Sequence, residues 1–133
     1  MKILVGYDGS EAARKALSLA QIHAGAFDAE VHVLTSREGG PGLKLIEINR
    51  IETDLETIRD ALREARISCN VELLIRGMTP GEDLVTYADE NGIDEIIVGV
   101  EKRSKVGKLI FGSTAQYVIL EASCPVVTVK PES

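Results

Sequence analysis

Five short apolar runs, separated by segments with helical periodicity, constrain the fold of this chain most strongly. Runs of Val, Ile and Leu suit strands that are buried on both faces. We predict strands over residues 3–7, 30–36, 69–76, 94–100 and 125–130. Helices between consecutive buried strands imply right-handed crossovers. We therefore expect an α/β fold, a Rossmann-like doubly wound sheet of five parallel strands with helices on both faces.

The helical segments carry start and stop signals. Ser10 can cap the first helix, and Gly25 is expected to end it. Thr79 can cap the third helix, because Pro80 follows it and Glu82 can complete a capping box. A fourth helix is predicted over residues 113–122, immediately before the last strand.

Two helices show which of their faces is apolar. The longest helix repeats apolar residues at intervals of three and four. Such a stripe can pack against the sheet or against a partner helix in a coiled coil, and we expect it to pack against the sheet. Its stripe consists of Ile48, Ile51, Leu55, Ile58, Leu62 and Ala65. The residues of the fourth helix that are expected to point inward are Ala115, Val118, Ile119 and Ala122.

Length and composition indicate one globular domain over residues 1–133. Apolar residues make up 44% of the chain and charged residues 27%, which is a globular balance. The net charge is −6, so we expect neither nucleic acid nor a membrane surface as partner. The chain shows no apolar run of membrane-spanning length and no signal peptide, and its two cysteines, Cys69 and Cys124, are isolated. We therefore expect a cytoplasmic protein.

A basic segment between the fourth strand and the fourth helix is the most informative motif. Residues 101–108 hold four basic residues and one acidic residue, although the whole chain is acidic. Gly112, Ser113 and Thr114 then open a helix, whose free amides and positive dipole end can hold an anion. The segment fits a phosphate site, and it fits equally well a solvated loop followed by an ordinary helix cap.

Several other kinds of site are not indicated. The segment lacks the spacing of a Walker A loop, and no G-x-G-x-x-G follows the first strand. A receiver-type phosphoacceptor site would need an Asp where the third strand ends at Arg76. His23 and His32 have no nucleophile in a recognisable motif and are expected to be packing or surface residues, and no His/Cys cluster suggests a metal. We therefore expect a binding module and not an enzyme, with slow hydrolysis at the phosphate site left open.

Three motifs give the chain its resemblance to a known family. They are the opening run ILVGYDGS at residues 3–10, Gly99 with Gly112 and Ser113 further on, and the closing CPVVTV at residues 124–129. Over nearly its whole length the sequence resembles the universal stress proteins of the UspA type. The nucleotide-binding branch of that family carries G-x2-G-x9-G-[ST]. This chain keeps the spacing but has Lys102 in place of the middle glycine.

The resemblance implies a homodimer that binds ATP or AMP, with or without Mg²⁺, at the point where the strand order reverses. By position, Asp8 would face the adenosine end and Ser36 would approach the adenine through its backbone. The phosphates would pass Gly99 and Lys102 and meet the start of the fourth helix. The full expected nucleotide-binding set is Asp8, Ser36, Val98, Gly99, Glu101, Lys102, Gly112, Ser113 and Thr114.

The lysine leaves two functions open. Its ammonium could pair with the phosphates, in which case the chain is a nucleotide-binding stress-response module with micromolar or weaker affinity, about −8 kcal/mol at the tight end. Its side chain could instead crowd them, in which case the chain is a nucleotide-free scaffold dimer. Glu101 is acidic where a phosphate neighbour would be expected to be neutral or basic. We expect binding to be retained.

The last predicted strand suggests how two copies would meet. Residues 125–130, from Pro125 to Lys130, form the last of the five predicted strands. Most of them are β-branched. An apolar edge strand can pair with a copy of itself. Burial of Val127 and Val129 within one subunit explains the same residues, and the family resemblance favours the homodimer.

Overall fold

The computed structural model describes residues 1–100, 102–103 and 106–131. It contains a five-stranded sheet in the order β3-β2-β1-β4-β7, with every neighbouring pair parallel. The strands are β1 (Lys2–Gly6), β2 (Glu30–Ser36), β3 (Cys69–Leu74), β4 (Glu95–Gly99), β5 (Lys102–Arg103), β6 (Leu109–Ile110) and β7 (Val126–Val129). The helices are α1 (Glu11–Phe27), α2 (Leu45–Glu64), α3 (Pro80–Asn91) and α4 (Ser113–Glu121). The predicted fold class is therefore confirmed.

Each face of the sheet carries its own aliphatic core. One core joins α1 and α2 to the sheet through residues such as Val5, Leu17 and Leu55. The other joins α3 and α4 to the opposite face through residues such as Leu4 and Leu84. Successive side chains of a strand point to opposite faces, so the continuous apolar run of β1 serves both cores. None of the described helices is long and apolar enough to cross a membrane.

The sheet order creates one switch point. From β1 the chain builds β2 and β3 on one side, and it then returns to build β4 and β7 on the other. Connections from β1 and β4 therefore leave in opposite directions at the carboxyl edge, which opens a crevice between their ends. Gly6 ends β1 and Gly99 ends β4 at this crevice.

The helix caps are confirmed, but one predicted stop is wrong. The Ser10 side chain accepts a hydrogen bond from the Ala13 amide, and Thr79 and Glu82 form the full capping box. Gly25, however, lies inside α1, which ends at Phe27 and has Asp28 in the left-handed conformation as its C-cap residue. A single glycine costs a helix only about 1 kcal/mol, and the apolar face that continues to Ala24 outweighs it.

Three further differences concern helix faces and the basic segment. Ala65 is exposed because α2 ends at Glu64, just before it. Ile119 is 44% exposed, whereas Ala115 and Val118 are buried as predicted, because α4 is short and buries a narrow stripe. The basic stretch, where the sequence predicts no strand, contains an antiparallel ladder between β5 and β6. The turn before β6 includes Gly107 at a φ of 79°, a conformation open to glycine.

Candidate functional site

A cavity of about 210 Å³ lies in the crevice at the carboxyl edge of the sheet. The ends of β1, β2 and β4 form its floor, and the first turns of α1 and α4 form its walls. Seven of the nine residues predicted to bind nucleotide line it, namely Asp8, Ser36, Val98, Gly99, Gly112, Ser113 and Thr114. Of the other two, Glu101 lies outside the described residues, and Lys102 is described only as part of β5.

The start of α4 forms the wall of the cavity that is chemically best suited to an anion. Gly112 is the N-cap residue in an extended conformation, and among the described residues no side chain caps this helix end. The first amides of a helix have no partner within the helix, and here they belong to Ser113, Thr114 and Ala115, which line the cavity. The first turn contains no acidic residue. One wall of the cavity therefore contains a helix start with its positive dipole end, together with two residues that carry hydroxyl groups.

The start of α1 is built differently. One of its first amides is capped by a side chain, because the Ala13 amide donates to Ser10 Oγ at 3.1 Å. Asp8 stands before this cap, and its Oδ1 accepts from the Ser10 amide at 2.9 Å. Gly9 completes the turn at a φ of 82°. Asp8 thus has a local structural role as well as a place on the cavity wall, and its second carboxylate oxygen can meet a ligand hydroxyl group.

Gly99 is required by packing against α1. A Cβ atom at this position would lie 2.6 Å from the Ala12 Cβ and 2.8 Å from the Ala12 carbonyl carbon. Since the obstruction includes helix backbone, a side chain at residue 99 would force α1 away from β4. This glycine therefore sets the distance between the α1 turn and the end of β4, and with it the width of the cavity.

A buried polar group beside the cavity was not predicted from the sequence. Asp83, in the first turn of α3, is 0% exposed. Its Oδ2 accepts from Ser36 Oγ at 2.7 Å, and its Oδ1 accepts from Arg76 Nε at 2.8 Å and from Nη2 at 2.6 Å. The hydrogen bond to Asp83 is the main cause that raises the pKa of the Arg76 guanidinium. An acid at the start of a helix is ordinarily a solvated residue that favours the helix dipole, so no local signal marks this one as buried.

The early end of β3 explains part of this miss. The strand predicted to reach residue 76 ends at Leu74, and Arg76 turns back toward α3. Its Nη1 also contacts Glu90 Oε1 at 3.1 Å.

Arg37, next to Ser36, lines the cavity as well and forms an ion pair with Glu47 on α2 at 3.2 Å.

The two histidines lie away from the cavity lining, as expected of packing or surface residues. His23 Nδ1 contacts Glu95 Oε1 at 2.7 Å. His32 is 5% exposed, and its ring bridges the Tyr87 hydroxyl at 2.6 Å and Glu30 at 2.9 Å. Burial raises the pKa of Tyr87. Among the described residues, no group of three His, Cys, Asp or Glu side chains is arranged to hold a metal ion.

Comparison with known proteins identifies the family. The sequence profile of the Universal stress protein family matches residues 1–130. This chain belongs to the universal stress protein family. A curated universal stress protein of Thermus aquaticus is 31% identical over 134 residues, which cover 96% of this chain and 97% of that relative. The resemblance inferred from the sequence motifs is therefore confirmed.

Solved structures of the family agree with the fold. A universal stress protein from Archaeoglobus fulgidus matches with a TM-score of 0.87 and 37% identity, covering 98% of both chains. A further universal stress protein structure from that organism, solved in complex with dAMP, matches with a TM-score of 0.81 and 31% identity, again over 98% of both chains. The chain spans 42% of the length of another curated relative, Slr1230 of Synechocystis sp., to which it is 29% identical over 127 residues.

Proposed function

We propose that this universal stress protein binds an adenine nucleotide, AMP or ATP, in the cavity at the switch point. We propose further that it acts as a cytoplasmic homodimer in the stress response and not as an enzyme. The observation that carries the binding proposal is the start of α4, which has no side-chain cap and belongs to a cavity lined by seven predicted residues. The dAMP complex of the Archaeoglobus fulgidus relative supports the choice of nucleotide.

Each part of the nucleotide has a proposed partner. The phosphates are assigned to the α4 start through Ser113 and Thr114, and the base is assigned to the Ser36 end of the cavity. Asp8 lies between them and is assigned to the sugar hydroxyls, because a carboxylate oxygen accepts such a hydrogen bond. Any Mg²⁺ is proposed to arrive with ATP, held by its phosphates.

A charge placed at the start of α4 tests the phosphate assignment without damaging the fold. Ser113→Asp puts a carboxylate where a phosphate is proposed to bind, and an acid in the first turn also favours the helix. We expect the variant to be as stable as the wild type but to lose at least about tenfold in AMP affinity by calorimetry, or about 1.4 kcal/mol. Ser123→Asp, an exposed position outside the cavity lining, is the matched control and should bind normally. Equal AMP affinity in Ser113→Asp and wild type would contradict the assignment.

Lys102 decides between this module and a nucleotide-free scaffold. If its ammonium pairs with phosphates, Lys102→Ala and Lys102→Gly both weaken ATP binding. If its side chain crowds the path, the wild type shows no binding, and Lys102→Gly restores it. Lys44→Ala removes an equal charge at an exposed residue outside the cavity lining and controls for general electrostatics. Binding that appears only in Lys102→Gly would replace the module by the scaffold.

The edge strand β7 is the proposed dimer contact. The Ile96 and Val100 amides donate to the Pro125 and Val129 carbonyls. Backbone groups of a strand alternate in direction, so the Thr128 amide points to the other edge, where β7 has no partner among the described strands. Two copies could pair there, as apolar edge strands tend to do.

A proline at this outward amide tests the contact. Thr128→Pro removes a donor needed between copies but none used by β4. We expect a dimeric mass for the wild type and for Thr128→Ala by light scattering, and a monomeric mass for Thr128→Pro with unchanged circular dichroism. A monomeric wild type at micromolar concentration would refute the proposal.

A further inference from the structure

The buried carboxylate of Asp83 is the charged group in the described part of the chain that calls most for an explanation. Burying an ion costs several kcal/mol unless strong partners compensate. Here both oxygens are occupied, one by Arg76 and the other by the hydroxyl of Ser36. Arg76 is 31% exposed on its side chain and is itself steadied by Glu90. The arrangement therefore ties a cavity-lining residue to a rigid anchor in α3.

The backbone of Ser36 is available to a ligand because β2 extends beyond the end of the neighbouring strand β1. The Arg37 amide donates to the Leu74 carbonyl on β3, and the Leu34 carbonyl accepts from the Tyr7 amide beside β1. Alternation along the strand turns Ser36 to the same side as Leu34, but β1 has already ended at Gly6. The N–H and C=O of Ser36 thus point past the end of β1, toward the cavity that this residue lines.

A donor and an acceptor side by side distinguish adenine from a 6-oxo purine. The adenine edge offers an amino donor next to a ring-nitrogen acceptor, and hypoxanthine offers a carbonyl acceptor next to a ring N–H donor. One backbone residue matches the adenine pattern only while its N–H and its C=O both point at the base. The two groups belong to different peptide planes, so a turn of either plane would move one of them away from the base. The side chain of Ser36 is held by its 2.7 Å hydrogen bond to Asp83.

We infer that Asp83, anchored by Arg76, is a positioning residue that holds the Ser36 backbone for selective recognition of adenine. The inference rests on the proposed nucleotide function and adds the element that sets base preference. It predicts that the hydrogen bond between Ser36 and Asp83 affects the ratio of AMP to IMP affinity, since the two ligands share ribose and phosphate and differ at the base.

The test measures AMP and IMP affinity by calorimetry in a set of variants. We expect the wild type to prefer AMP by about tenfold or more, and Ser36→Ala and Asp83→Ala each to bring the ratio below about threefold. The double variant should lose no more preference than either single one, because both remove the same interaction. Asp83→Asn keeps an acceptor for the hydroxyl and should retain most of the preference. Glu90→Gln, which leaves Asp83 with both partners, is the matched control and should keep the full ratio.

Each alternative outcome identifies which statement fails. If the wild type binds AMP and IMP equally, or if folded Ser36→Ala and Asp83→Ala keep the wild-type ratio, the positioning role of Asp83 is wrong and the nucleotide function stands. If the wild type binds neither nucleotide, the proposed function fails and the inference fails with it. Ser36→Ala removes only a hydroxyl group, so a loss of folding in Asp83→Ala still leaves a decisive variant.

Discussion

A methyl group added at Gly99 should destabilise this protein, although alanine is normally harmless at the end of a strand. The new Cβ would lie 2.6 Å from the Ala12 Cβ, 2.8 Å from its carbonyl carbon and 3.1 Å from its carbonyl oxygen. Carbon atoms in contact prefer about 3.5–4.0 Å, so the overlap amounts to roughly 1 Å. Ala12 is almost completely buried in the first turn of α1 and cannot rotate away.

The magnitude follows from the cost of overpacking. Because backbone atoms of α1 must move, we expect Gly99→Ala to lower the free energy of unfolding by about 1–3 kcal/mol. Gly25→Ala is the matched control, since it is the same substitution at an exposed position of α1 where a Cβ would meet no described atom within 4 Å. Helix propensity should make that variant more stable by about 0.5–1 kcal/mol. The two variants should therefore change stability in opposite directions.

Urea unfolding followed by far-ultraviolet circular dichroism is the suitable assay, because the chain contains no Trp. The midpoint should fall for Gly99→Ala and rise for Gly25→Ala, with equal denaturant slopes. A Gly99→Ala variant as stable as the wild type would refute the reasoning, since α1 and β4 would then not be in the contact described. Loss of stability in both variants would also contradict the reasoning, since it would show that an added methyl group destabilises α1 even at an exposed position.

Three further tests address local features of the fold by the same unfolding assay. Thr79→Ala should cost about 1 kcal/mol because it removes the side-chain cap of α3, and Thr79→Ser should restore it. Arg66 has a φ of 60°, so Arg66→Gly should stabilise by about 1 kcal/mol, whereas Arg63→Gly, inside α2, should destabilise by about as much; the reverse order would contradict the assignment of the helix end. The pKa of Glu30 lies below its ordinary value of 4.5, chiefly because His32 donates a hydrogen bond to it. A lowered pKa stabilises the fold above 4.5 and loses that contribution as the pH falls through the folded value. Glu30→Gln should therefore lower stability at neutral pH and flatten its loss in acid, and parallel pH profiles for variant and wild type would exclude this role.

Most of the fold could be predicted because its signals are local. The apolar runs mark every strand of the main sheet to within two residues. The caps at Ser10 and Thr79 could also be predicted, because each hydroxyl group bonds to an amide only three residues away in the chain. The predicted helix end at Gly25 was wrong because the low helix propensity of glycine is a weak effect. The packing of the apolar face of α1 against the sheet outweighs it, and the local sequence does not show that packing. The β5 and β6 ladder was missed because each strand has only two residues, too few to show a period.

The candidate site could be predicted in part. Gly112 was selected because it opens a helix, and Asp8 and Ser36 were assigned through the family resemblance. All three lie at strand ends or helix starts, which in a parallel sheet meet at one edge. Asp83 was missed because its burial depends on Arg76, which reaches it from the end of another strand. The packing role of Gly99 was missed for the same reason, since Ala12 lies far from it in the chain.

The sequence by itself determined which segments are strands and helices, that the sheet is parallel, and which edge carries the residues of the candidate site. These properties follow from hydrophobic period, capping and chain connection, which act between near neighbours. Only the tertiary structure decided which charges are buried, how close α1 comes to β4, and which hydroxyl steadies the end of β2. Those properties depend on contacts between residues that are distant in the chain, and no local pattern of side chains records them.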